Sequence, residues 1–197
     1  MAESAAEQGR AADLRPLPAG PAGSSTGVEV RPAGVADAAG IAAVYAPYVH
    51  SGVATFEGEP PPPAVLATRM TTGLPWFVAC AGPEVVGYAY ASPHHERAAY
   101  RWTVECTVYL APAACGQGVG SALYGRLLPV LSERGLVTAL AKITLPNAAS
   151  IALHERAGFH QVGVLPQVGF KLGAWHDVGL WARSLVRDLP VPPAGGD

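Results

Sequence analysis

The chain has 197 residues and a formal net charge of −2, with 50% hydrophobic and only 14% charged residues, which suits one compact domain with a sizeable core. The weak acidity excludes a polycationic nucleic-acid binder, and no apolar run reaches the ~18–20 residues that span a bilayer. Nor is there a hydrophobic signal segment behind Arg10 and Arg15, and Cys80, Cys106 and Cys115 are too scattered for a disulfide framework or a zinc site, so a reduced cytoplasmic setting is expected.

Residues 1–27 are rich in Ala, Gly, Pro and Ser and cannot bury enough apolar surface to offset the entropy of ordering, so a disordered tail is expected there. A frayed end is expected over 191–197, which leaves 28–190 as the domain. VEVRPA, from Val28, reads as a strand. Asp37 then caps a helix in which Ile41, Val44, Tyr45, Tyr48 and Val49 recur at helical spacing, with a kink expected at Pro47. A proline-stiffened loop leads to a short helix over 64–70. WFVAC and VVGYAYA flank an AGPE turn and read as a hairpin. In RWTVECTVYLAP the residues Trp102, Val104, Cys106, Val108 and Leu110 share one face, and Arg101, Thr103, Glu105, Thr107 and Tyr109 share the other, the alternation of a half-buried strand. A turn, CGQGVG, opens a helix that runs to Gly135. TALAKITLP is a buried strand, Asn147 opens and Gly158 closes another helix, and HQVGVL and DVGLWARSL supply two last strands. The order β-α-α-β-β-β-α-β-α-β-β indicates a mixed α/β domain.

The strand, glycine turn and helix are the most informative local feature. Gly116, Gly118 and Gly120 let the backbone approach a ligand closely, and the helix that follows offers unpaired N–H groups and its positive dipole end, a ready anion site. A tight turn with no ligand is an equally good reading of the glycines alone. A P-loop is excluded because no Lys stands where Gly-x4-Gly-Lys-Ser/Thr requires it. A dinucleotide fold is poorly matched, since the second glycine gap is one residue short and no acidic residue follows at the ribose position.

VYLAP, the Gly-x-Gly-x-Gly turn and Asn147-x6-His154-x3-Gly158-Phe159 together resemble the GNAT family of acetyl-CoA-dependent N-acetyltransferases. The blocks YAPYVHSGVATFEGEP, GYAYASPHHERAAYRWTVECTVYL, ITLPNAASIALHERAGF and VGFKLGAWHDVGLW are similar to its phosphinothricin and methionine sulfoximine acetyltransferase branch. The resemblance covers roughly residues 28–190. It implies a mixed, mostly antiparallel sheet flanked by helices, with a splayed pair of strands, and acetyl-CoA as cosubstrate with no metal. On that pattern the pantetheine would lie against Val108, Tyr109 and Leu110, the phosphates against Gly116, Gln117, Gly118, Val119, Gly120 and Ser121, and the thioester end near Asn147 and Ser150. Cys115 and Gly116 stand where the family usually has Gln or Arg and a second basic or polar residue. Weaker CoA binding, resting more on backbone donors, is the expectation.

Acetyl transfer to an amine needs a base for the amine, an acid for the departing thiolate and donors for the oxyanion. Spacing alone favours an ordinary solvated glutamate at 105; within the matching blocks Glu105 is expected to be the base. His154 stands where many members carry a tyrosine acid and is expected to be the acid or a proton shuttle. The reverse assignment of the two stays open. Backbone amides near Val108 are the expected oxyanion donors. His94, His95 and Glu96 read as solvated loop residues rather than a metal cluster, and Cys106 as core packing. For substrate, the resemblance implies a glutamate-like amino acid, with Phe56, Arg97, Tyr100, Thr144 and Lys171 as its contacts, and a homodimer with C-terminal segments near each other's sites. Another small amine as substrate, or a catalytically silent CoA-binding domain, are the competing expectations.

Overall fold

The structure, a computed structural model, describes residues 27–71 and 73–189. The expected tail, apart from Gly27, and the expected frayed end lie outside the described residues. Strands β1 (Val28–Pro32), β2 (Trp76–Ala81), β3 (Glu84–Pro93), β4 (Thr103–Leu110), β5 (Thr138–Thr144), β6 (His160–Lys171) and β7 (Ala174–Ser184) form one sheet in the order β1-β2-β3-β4-β5-β7-β6. Helices α1 (Ala38–Ser51) and α2 (Pro63–Met70) follow β1, α3 (Val119–Glu133) follows β4, and α4 (Ala148–Arg156) follows β5. This is the expected element order.

Alternation along the strands builds two cores, one on each face. Phe77, Ala89, Val104, Cys106 and Ile143 pack under Leu123, Tyr124 and Leu127 of α3 and Phe159 behind α4. On the other face Trp76, Val78 and Tyr88 meet Ile41, Val44 and Tyr45 of α1 and Leu66 of α2. Burial of this apolar surface is the main stabilising term, roughly 1.5–3 kcal/mol for each fully buried large aliphatic or aromatic side chain.

All neighbouring strands run antiparallel except β4 and β5. That parallel pairing lasts only from Thr103↔Thr138 to Glu105↔Leu140, although β4 continues to Leu110 and β5 to Thr144. The sheet therefore opens as a wedge just past Glu105, which is the splayed pair expected of the fold.

Two local expectations are corrected. Asp37 sits at the start of α1 but makes no side-chain cap bond to it; its carboxylate takes Arg31 at 2.7 and 2.8 Å and the Gly34 N–H at 2.8 Å, and the guanidinium holds the Asp37 pKa below the usual carboxylate range. Strand β6 runs well past HQVGVL to Lys171, because an irregularity between Leu165 and Gly169, with Gln167 at φ +51°, restores the pairing with β7 beyond Pro166.

Candidate active site

The turn after β4 has Gly116 at φ +76° and Gly118 at φ +80°, left-handed values that glycine alone adopts without strain. The first helical bond of α3 runs from the Ala122 N–H to the Gly118 carbonyl, so the N–H groups of Val119, Gly120 and Ser121 belong to the unpaired opening of the helix, where its dipole favours an anion. A Cβ on Gly120 would lie 2.8 Å from Leu153 Cδ2, so glycine there lets α3 and α4 come together. Helix α4 is capped by Asn147, whose Oδ1 accepts the Ser150 N–H at 3.1 Å.

Between these parts and the wedge lies a cleft of about 380 Å³, within the size range of small-ligand sites. Its wall takes Thr107–Leu110 from β4, Gly116 and Gly118–Ser121 from the turn, Lys142–Thr144 from β5, and Asn147, Ser150, His154 and Arg156 from the α4 side.

His154 is 4% exposed. Its Nδ1 lies 2.8 Å from the Ser150 carbonyl oxygen, which can only accept, so Nδ1 carries the proton and donates. Nε2 is then the acceptor for the Tyr124 hydroxyl at 2.7 Å. Burial pushes the His154 pKa down, against the pull of the bond to Ser150, and burial pushes the Tyr124 phenol up. The pair is a neutral imidazole backed by a neutral phenol. The Ser150 hydroxyl, also on the cleft wall, is 3.3 Å from Nδ1.

Glu105 faces a different environment. Its Oε1 is 2.6 Å from Lys142 Nζ and 2.8 Å from His94 Nδ1. The carboxylate stands behind Lys142 rather than on the cleft wall itself.

Of the expected cofactor contacts, Val108, Tyr109, Leu110, Gly116, Gly118, Val119, Gly120, Ser121, Asn147 and Ser150 share the cleft wall. Gln117 does not; its amide donates to the Ala113 carbonyl. The expected substrate contacts fall in three places. Thr144 is buried on the cleft wall. Phe56 packs its ring on Gly169, and Lys171 Nζ donates to the Thr55 carbonyl at 2.8 Å, its pKa lowered by desolvation. Arg97 and Tyr100 line a separate recess with His95 and Arg101.

The sequence pattern does not single out Tyr48, Tyr124, Lys142 or Arg156. Tyr48, which falls in the apolar repeat of α1, donates its hydroxyl to the Leu110 carbonyl at 2.6 Å on the cleft wall. Tyr124 falls within the buried stripe of α3. Of the four, Lys142 alone carries a signal, as the lone charge in TALAKITLP. Among the described residues no cluster of His, Cys, Asp or Glu is placed to hold a metal ion, and no helix is long and apolar enough to cross a membrane.

A sheet wedged open beside a glycine turn at a helix N-terminus is the architecture of an acyl-group transferase. The chain belongs to the Acetyltransferase (GNAT) family, whose profile matches residues 46–159. It is 40% identical over 169 residues to the phosphinothricin N-acetyltransferase of Streptomyces viridochromogenes, covering 84% of this chain and 91% of that protein. It is 39% identical over 161 residues to the L-methionine sulfoximine/L-methionine sulfone acetyltransferase of Pseudomonas aeruginosa, covering 79% and 94%. Its structure is similar, at a TM-score of 0.80 and 38% identity over 86% of this chain and 95% of the other, to the crystal structure of a phosphinothricin acetyltransferase from Sinorhizobium meliloti in complex with AcCoA. The protein is thus a GNAT N-acetyltransferase of the phosphinothricin acetyltransferase type.

Proposed function

We propose that the protein transfers the acetyl group of acetyl-CoA to the α-amino group of a small glutamate-like amino acid such as phosphinothricin or methionine sulfoximine, in the cytoplasm. The observation that carries this reading is the convergence of the stretch of β4 beyond its pairing with β5, the N-terminus of α3 and the capped start of α4 on one cleft. Acetyl-CoA is the acetyl donor. Its diphosphate rests on the N–H groups from Gly118 to Ser121, with Gly116 allowing close approach, its pantetheine follows Val108, Tyr109 and Leu110, and its thioester lies near Asn147 and Ser150.

The reaction is a direct attack. Proton removal from the amine is centred on Glu105, the amine nitrogen bonds to the thioester carbon, and a backbone amide near Val108 steadies the oxyanion. The C–S bond then breaks and the thiolate is protonated from the His154 side. Because His154 Nδ1 is turned to a carbonyl, the Ser150 hydroxyl is the group that can reach from that pair into the cleft. Arg97, Tyr100, Phe56, Lys171 and Thr144 contact the substrate, with cations and hydroxyls suited to its acidic groups. Their scatter over one protomer fits a homodimer in which a β6–β7 hairpin approaches its partner's site. In support, Val162, Val164, Leu165, Val168, Phe170 and Trp175 of that hairpin are between 41% and 63% exposed, an apolar patch of the kind that marks an interface.

A steady-state panel of free amino acids, with acetyl-CoA and kcat/KM read for each, tests the assignment. Phosphinothricin and methionine sulfoximine are expected to lead. A panel led by an amine without an acidic side chain overturns the substrate reading, and absence of acetyl-CoA binding by calorimetry overturns the whole.

A further inference from the structure

Lys142 is the cation that β5 contributes to the cleft wall, and the reaction as proposed gives it no task. It lies beyond the last β4–β5 pair, Glu105↔Leu140, so it stands where the sheet has begun to open. Its Nζ is 2.6 Å from Glu105 Oε1, and that carboxylate sits behind it, off the wall. An ammonium has three donors; Glu105 takes one, and the others have no protein partner among the described residues. The Lys142 side chain is 49% exposed, so this ion pair is held weakly and the cation can turn toward an incoming anion. Thr144, the next residue on that face of the strand, also lines the cleft. Among the described residues no acidic side chain lines it, and its other cation, Arg156, ends α4.

We propose that Lys142 binds the α-carboxylate of the substrate and so makes the enzyme selective for α-amino acids over other amines. The proposal rests on the acetyl-transfer function proposed for the cleft. An α-amino acid carries its carboxylate two bonds from the amine nitrogen. An amine directed from the cleft at Glu105 therefore brings that carboxylate to the ammonium standing in front of Glu105. Charge matching favours the same arrangement. The substrate arrives as a zwitterion, and Glu105 and Lys142 present the complementary pair side by side. Docking exchanges one ion pair for two, Glu105 with the substrate ammonium and Lys142 with the substrate carboxylate. No charge is left unpaired as water leaves. An amine without the carboxylate gains only one of these contacts and must compete with Lys142 for Glu105. The contacts proposed above remain for the acidic side chain.

The test measures kcat/KM for the best amino acid from the panel and for its α-carboxamide, which lacks the negative charge, in wild type, Lys142→Met and Lys142→Arg. Any effect of the substitution on Glu105 falls on both substrates alike, so the ratio of the two values reads the carboxylate contact. Wild type is expected to favour the acid. Lys142→Met is expected to shrink that preference by about tenfold to hundredfold, mostly through the KM of the acid. Lys142→Arg keeps a cation and is expected to retain most of the preference. Acetyl-CoA binding by calorimetry checks that each variant is folded; should Lys142→Met fail it, Lys142→Gln takes its place in the comparison. An unchanged ratio in the neutral variant, whether both rates fall together or neither moves, would overturn the proposal. Equal rates on acid and amide in wild type would overturn it as well. A wild type that binds acetyl-CoA but acetylates no amine would overturn this proposal together with the reading beneath it, a result visible before any variant is made.

Discussion

The α4 side of the cleft and the loop after β3 each hold a histidine in contact with an acid or hydroxyl, and they are built in opposite ways. His154 is sealed, with one nitrogen on a carbonyl and the other on a buried phenol. His94 is open to solvent, with one nitrogen on an ion-paired carboxylate and the other without a partner among the described residues. Burial with every polar atom satisfied makes a side chain rigid and costly to disturb. Exposure leaves a side chain in contact with water, where its polar contacts are exchanged at little cost. The sealed side is the more rigid of the two; the open side is the more easily rearranged.

The largest test of that contrast is Tyr124→Phe. It removes the donor to His154 Nε2 in a buried setting and is expected to cost about 1–3 kcal/mol, read as a fall in the thermal midpoint. An unchanged midpoint would mean the pair is not sealed. Next is pH. Burial depresses the His154 pKa, so the unfolded chain binds the proton more readily. The corresponding stability is present in full above the ordinary histidine value near 6.5 and is lost as pH falls from there toward the depressed value. Melts across that range should show the decline in wild type and a shallower one in His154→Gln. On the open side, Lys142→Met breaks a half-exposed ion pair and should change stability by less than about 1 kcal/mol; a loss as large as that of Tyr124→Phe would erase the distinction between the two sides. The smallest effect is expected at the outer end of α4. Arg156 lines the cleft and makes no ion pair among the described residues, while the glycine turn carries no cation. Arg156→Ala should raise the KM for acetyl-CoA by about threefold to fivefold, less at high salt. No change at low salt would remove Arg156 from cofactor binding.

Strand alternation and glycine punctuation make the order of elements legible, because each depends on neighbours within a few residues. The alternation in RWTVECTVYL by itself puts Glu105 and Val108 on opposite faces, as the burial of Val104 and Cys106 bears out. What stays hidden depends on partners far along the chain. Lys142 meets Glu105 only through the parallel register that sets Glu105 beside Leu140. Tyr124 reads as one more apolar member of α3 until α4 brings His154 to its hydroxyl. The full length of β6 is obscured because Pro166 and the positive φ of Gln167 mimic a strand end. His94 looks like a solvated loop residue because its contact is with a strand that follows later in the chain.

The short β4–β5 ladder has a mechanical consequence. Three residue pairs hinge the β1–β4 half of the sheet to the β5–β7 half, and past them the halves diverge around the cleft. An occupant with amides of its own can bond to the exposed backbone edge and brace the gap as a splint. Occupancy should therefore stiffen both halves together, slowing amide exchange in β5 as well as in β4.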